Sequence, residues 1–185
     1  MRQRLVELFE YMDRTRADLL ATVAEANSTL SSVRARDGEW SVAEIMSHLA
    51  VVEQGVAGLV AKSIKWAKEN GIPPETDDTS IVDGVNFFSQ SKKRIAPDMV
   101  LPRADSPLEE SLAALAHTRT ALKAALAEGD GLDLSVVKRK HPSIGELNIY
   151  HWALFVAQHE ARHSAQIERT IKEVTGRAAE CAPIV

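Results

Sequence analysis

Residues 143–174 read SIGELNIYHWALFVAQHEARHSAQIERTIKEV, and within them Trp152, Phe155, His159, His163 and Ile167 recur at intervals of three and four. That spacing keeps returning to one side of a helix with about 3.6 residues per turn, so it predicts a long helix whose apolar stripe carries two imidazoles. Ser143 and Glu146 have the spacing of a capping box, which predicts a helix start at Ser143, and Gly176 is the expected terminator. An inward polar ring needs a partner, and two on one stripe suggest a shared one.

Upstream, the same punctuation repeats. Ser106-Pro107-Leu108-Glu109 reads as a capping box with Pro at the first helical position, opening an Ala- and Leu-rich helix that should stop at Gly129. Residues 130–142 then form a loop. Ser41-Val42-Ala43-Glu44 is another box, Trp40 and Ile45 are placed to staple the chain entry, and Gly71 supplies a stop beside Asn70. From Arg2 to about Ala26, Leu5, Leu8, Met12, Leu19 and Val23 give a first amphipathic helix. Pro73 to Pro102 is irregular, with one helix expected over Thr79–Arg94 inside a long connection. No alternating Val- and Ile-rich segment appears. The expectation is therefore an all-α fold: a four-helix bundle with a long crossover connection, one domain spanning 1–185.

Composition excludes several classes. With 45% hydrophobic and 26% charged residues the chain is an ordinary globular one, neither disordered nor fibrous. A net charge of -4 offers no general attraction to phosphate backbones, and the runs Lys92-Lys93-Arg94 and Lys138-Arg139-Lys140 read as solvated surface, so no nucleic-acid partner is expected. The start, with Arg2, Arg4, Glu7 and Glu10, has no continuous apolar stretch, so no secretory signal and no membrane segment is expected. Cys181 is the only cysteine, which precludes an internal disulfide and suits a reducing compartment; the cytoplasm is the expected location.

The histidines carry the chemistry. His159 and His163 stand at i and i+4, with bases roughly 6 Å apart on one helical face, within reach of one metal ion at about 2.1 Å. Six histidines in 185 residues make a His-x-x-x-His pair by chance in about one chain in five, so the spacing needs its apolar context. His48 lies in line with Ile45, Val52 and Leu59 and also faces inward. A lone inward histidine is more often a hydrogen-bonded core residue than a ligand. Three together are most simply satisfied by one cation, with a coordination position left open. His117, His141 and His151 read as surface, loop and helix-surface residues.

His159 to His163 also matches His-Glu-x-x-His, the metalloprotease motif. Its extended form needs Gly and His where Gln166 and Arg169 stand, and little chain remains for a downstream ligand, so proteolysis is not expected. Glu160 remains a candidate general base toward water at a metal. It is rotated about 100° from His159, however, and could equally pair with a cation or orient a ligand.

Three segments together resemble the DinB-like superfamily over nearly the whole chain: Trp40-Ser41-Val42-Ala43-Glu44-Ile45-Met46-Ser47-His48-Leu49, His141-Pro142 with Gly145 and Leu147, and Trp152 with His159-Glu160-x-Arg162-His163-x-x-Gln166-Ile167. The resemblance implies a four-helix bundle with a long crossover and a divalent metal bound by His48, His159 and His163, with no ligand position departing from the pattern. It implies a metal-dependent enzyme activating a thiol or water, in the manner of thiol-dependent S-transferases, a thiol-dependent isomerase or zinc-dependent hydrolases. Fold does not select among them. The ion would be Zn, Ni or Fe, since imidazole suits each. A low-molecular-weight thiol is an implied cosubstrate, a small molecule the implied substrate, and a homodimer the implied assembly. The rival expectation is a non-catalytic, metal-binding stress-response protein.

Overall fold

The computed structural model describes residues 1–26, 28–89, 96–103 and 106–180. Four long helices, α1 (Gln3–Ala24), α3 (Val42–Glu69), α4 (Leu108–Glu128) and α5 (Ile149–Glu180), form the bundle, with a single-turn α2 (Ser28–Ser31) between the first two. The most extensive interfaces are α3 with α4 and α1 with α5, followed by α3 with α5. Each helix follows from local chemistry. In α1 the buried residues Leu5, Leu8, Met12, Thr15, Leu19 and Val23 step by three or four, making one apolar stripe.

α3 begins with the expected capping box. The Glu44 N–H donates to Ser41 Oγ at 3.3 Å and the Ser41 N–H to Glu44 Oε2 at 2.8 Å, so two otherwise orphaned donors are satisfied. The helix ends at Asn70, where Gly71 takes φ 61°, a left-handed conformation that glycine adopts without strain. Ser41→Ala is expected to cost about 1 kcal/mol, a fall in melting temperature of about 2–4 °C, read by thermal denaturation.

Several expectations at element ends are corrected. Ser143–Glu146 is not a helix cap: Lys138–His141 (β1) and Gly145–Asn148 (β2) pair antiparallel, with Arg139 opposite Leu147 and His141 opposite Gly145. Gly145, at φ 102°, sits where a helix would need a right-handed residue, which rules out the box and suits the turn. α5 instead starts at Ile149, capped by Asn148 Oδ1, which accepts the His151 N–H at 2.8 Å. It also runs through Gly176, because glycine costs a helix only about 1 kcal/mol and does not break it. Pro107 precedes α4 in extended conformation, with no side-chain cap bond there. No helix occurs over 79–89, and residues 90–94 of that expectation lie outside the described residues.

The interior is split by a layer of charge. One apolar cluster holds Leu5, Leu8, Met12, Val56, Val60, Leu122 and Tyr150; a second holds Leu19, Val23, Ile45, Leu49, Leu115 and Ile167. Between them each long helix contributes one charged residue: Arg16, Glu53, Arg119 and Glu160. Arg16 binds Glu53 at 2.5 Å and Glu160 at 2.5 Å, and Arg119 binds the same two carboxylates at 2.6 and 2.7 Å, closing a ring. The arginines also cap backbone carbonyls, Arg16 at Leu115 and Arg119 at Met12. Burial keeps the Glu53 carboxyl above its ordinary range even beside Arg119 and Arg16. Two positive and two negative charges cancel, so the ring is costly to desolvate yet complete.

The crossover, residues 70–107, is tied down at three places. Arg4 grips Glu75 at 3.1 Å and also Asp77, while the Tyr150 hydroxyl donates to Glu75 at 2.9 Å. Gln158 on α5 accepts the Phe87 N–H and donates to the Val85 carbonyl. Near the far end, a 3-10 turn at Asp98–Val100 sits against α3, where Ser47 Oγ accepts the Arg103 N–H at 3.0 Å. No helix among the described residues is long and apolar enough to cross a membrane.

Candidate metal centre

Beside the charged ring, α3 and α5 bring three histidines together, His48 from α3 and His159 and His163 from α5. His48 Nε2 lies 3.4 Å from His159 Nε2, and His163 Nε2 lies 3.0 Å from it. All three nitrogens fall within 4.8 Å of one another. Ligands held at about 2.1 Å around a tetrahedral centre stand about 3.4 Å apart, so the set needs little movement to surround one ion.

The opposite ring nitrogens explain why the Nε2 lone pairs converge. His48 Nδ1 donates to the Val100 carbonyl at 2.5 Å, and a carbonyl can only accept, so the proton is on Nδ1. His163 Nδ1 pairs with Gln166 Oε1 at 2.9 Å, fixing the same tautomer. Two lone pairs then point at His159. Burial lowers the His48 pKa despite the opposing Val100 carbonyl, and it lowers His163 to about 3. His159 lies well below its ordinary value through burial and then through the neighbouring imidazoles. All three are neutral at pH 7, the form that binds metal.

This has a measurable consequence in metal-free protein. The unfolded chain takes up protons at these rings near pH 6.5, whereas the folded chain resists them until far lower pH. The unfolded state therefore binds more protons in that window, and folding stability falls as pH falls below about 6.5. Melting curves from about pH 7.5 down to about pH 5 should show a falling midpoint for apo-protein; a flat midpoint would contradict the burial.

Aromatic rings flank the cluster. The Trp40 ring centroid is 4.9 Å from that of His48, while His159 lies near-parallel to Phe155 at 5.3 Å and to Phe88 at 5.7 Å. His141 packs on Phe155 at 4.7 Å and Trp152 at 5.1 Å. A cavity of about 1380 Å³ opens in front of the three histidines, with His141, Arg162 and Gln166 also facing it.

Of the four residues singled out from sequence, the structure brings together His48, His159 and His163 and places Glu160 elsewhere. Glu160 is 1% exposed, is not among the residues facing the cavity, and gives both carboxylate oxygens to Arg16 and Arg119. The 100° rotation that separates it from His159 turns it into the bundle interior. His117 is exposed and His151 half-buried against Phe87, but His141 departs from its reading as a loop residue by lining the cavity from β1. Sequence reasoning also missed Gln166 and the Val100 carbonyl as anchors. Gln166 was visible, three positions past His163, where its side chain shares that ring's face.

A family model described as the DinB superfamily matches residues 11–167. The uncharacterised protein YuaE of Bacillus subtilis (strain 168) is 27% identical over 144 residues, covering 76% of this chain and 82% of its own. In fold, the chain is similar to TT2238, a four-helix bundle protein whose crystal structure superposes with a TM-score of 0.60 at 23% identity, covering 89% of this chain and 98% of that one.

Proposed function

Because the chain belongs to the DinB superfamily, we propose that it is a metal-dependent enzyme in which His48, His159 and His163 hold one divalent ion through their Nε2 atoms and a small molecule reacts in the cavity before them. The observation that carries this reading is the convergence of three neutral imidazoles, two with Nδ1 committed to an acceptor. An ion held there would supply Lewis acidity, lowering the pKa of a thiol or water on its open side.

The chain's own groups would do the rest. Val100 and Gln166 hold two ligand rings in register, which preserves the site without the ion. Phe88, Phe155 and Trp40 place apolar rings on the flanks of the cluster, which would lower the local dielectric and strengthen electrostatic interactions within it. Arg162, with its guanidinium carbon 5.4 Å from the Phe88 ring centroid, also lines the cavity. The cavity favours catalysis over storage, since a purely structural ion is usually closed off by a fourth protein ligand.

Titration of apo-protein with Co(II) should reach one equivalent per chain, with the visible absorption of a tetrahedral, nitrogen-rich site. Failure to bind would defeat the metal reading. The loaded protein would then be offered low-molecular-weight thiols with alkyl and aryl electrophiles, beside ester and amide panels. Metal-dependent turnover in the first selects thiol transfer and in the second hydrolysis; none in either defeats the enzyme reading.

A further inference from the structure

The cavity before the three histidines has two unlike ends. Val42 and Ile45 of α3 share one apolar cluster with Ile167 and Ile171 of α5, while Val56 and Val60 share the other with Trp152 and Ala153, so these two helices run antiparallel. One end of the cavity therefore lies between the start of α3 and the later turns of α5, where Glu39, Arg169, Thr170 and Glu173 line it. The other end is an arm that continues past His48. Its α3 wall is Val51, Val52, Gly55, Val56 and Leu59, and Trp152 and Phe155 line the same end from α5. None of those five α3 residues carries a charge or a hydrogen-bonding side chain. Lys140 of β1 also lines the cavity but is exposed, which keeps its ammonium in water.

Gly55 shows that the arm has room. It sits inside α3, where glycine weakens a helix by adding backbone freedom and no packing. A Cβ placed on it would meet no atom within 4 Å among the described residues, so the space beside it is open. Val51, Val52 and Leu59 are only half-buried although they are apolar. From His48 to Leu59 the helix rises roughly 16 Å, at about 1.5 Å per residue. A polar group laid along this wall would give up hydrogen bonds to water and find none on α3 in return, whereas each methylene gains by leaving water. A compact group would fill only part of that length. The arm opens on the histidine cluster, so its occupant belongs to the same molecule as whatever reacts there.

We propose that the cavity binds a small molecule bearing an extended alkyl chain, the chain laid along Val51, Val52, Gly55 and Leu59 in the arm that opens on the three histidines. This deepens the metal-enzyme reading by naming a substrate class, and rests on that reading only for the reaction, because the chain is recognised by residues other than the three histidines.

Trp152 lines the arm and Trp40 the cavity, so intrinsic fluorescence reports binding once Trp66, which is 45% exposed and lies outside the cavity, is replaced by Phe. Titrating metal-free Trp66→Phe protein with hexan-1-ol, octan-1-ol and decan-1-ol should give a saturable change, with affinity rising about fourfold per added methylene. Adamantan-1-ol, which packs the carbons of decan-1-ol into a compact cage, should bind at least about tenfold more weakly than decan-1-ol. Gly55→Leu, made in the same background, fills the arm and should weaken decan-1-ol at least about tenfold. Gly58→Leu is the control: it adds the same side chain to open space on the same helix but outside the cavity, and should leave binding unchanged. Melting curves check that both variants fold, and the chain-length series needs neither of them. Affinity independent of chain length, or equal for the cage and the chain, would overturn the extended alkyl ligand, and an equal response of the two leucine variants would overturn its place along Gly55. Co(II) titration of the same preparation tests the metal reading separately. Alkanol binding without metal uptake would defeat that reading and leave the alkyl site standing; metal uptake without saturable alkanol binding would do the reverse.

Discussion

Replacing Arg119 by Met is expected to destabilise the protein by about 3–5 kcal/mol, lowering its melting temperature by about 6–20 °C. Arg119 is 6% exposed and bonds at once to Glu53, to Glu160 and to the Met12 carbonyl. Truncation leaves two carboxylates, each 1% exposed, with only Arg16 between them. Two negative charges would then share one positive one without solvent to screen them. The penalty is that of uncompensated buried charge, and it exceeds the value of any single ion pair at the surface. Replacing all four ring members by apolar residues of similar volume should recover most of the loss, because the charge and its partners leave together. Glu160→Gln separates the two roles considered for that residue: as a member of the ring it should lower stability while leaving metal stoichiometry intact. Denaturant unfolding with metal analysis of each variant reads both, and a loss below about 1 kcal/mol for Arg119→Met would contradict the closed ring.

The second large effect is at His159. Its Nε2 is the atom to which both other ring nitrogens come close, at 3.0 and 3.4 Å. His159→Ala removes the middle of the set and leaves two imidazoles that cannot enclose an ion alone. Metal bound per chain should fall from one equivalent to background after dialysis. Gln166→Ala should act more mildly, weakening affinity about 10–100-fold by freeing the His163 ring without removing a ligand. Elemental analysis and competition with a chromophoric chelator distinguish the two. A full equivalent retained in His159→Ala would refute the three-histidine site.

Much of this was legible because its causes are local. The α1 stripe, the Ser41 box and the stop at Gly71 depend on residues within a few positions of one another, and all three appear as read. The charged ring also left a trace that went unread. Arg16 follows Met12 by four, Glu53 follows Leu49 by four, Arg119 follows Leu115 by four and Glu160 follows Val156 by four, so each long helix carries its ring charge in line with its buried stripe. The hairpin left a weaker one. Lys138–His141 and Gly145–Asn148 have no alternating β-branched pattern; they are held from outside, with Leu147 buried and Trp152 Nε1 donating to the Arg139 carbonyl. Gly145 inside a supposed first helical turn was the clue against the box.

By itself the sequence determined the number of long helices, which face of each turns inward, and that three histidines lie on those faces, because periodicity and capping are short-range. Only the tertiary structure decided which ring atoms meet. Val100 reaches His48 from a distant crossover, Phe88 is brought to His159 by the grip of Gln158 on residues 85–87, and Glu160 turns from the cavity into a ring assembled by four helices. Those outcomes depend on how far each helix is rotated and shifted against its neighbours, and that is settled by packing between segments far apart in the chain.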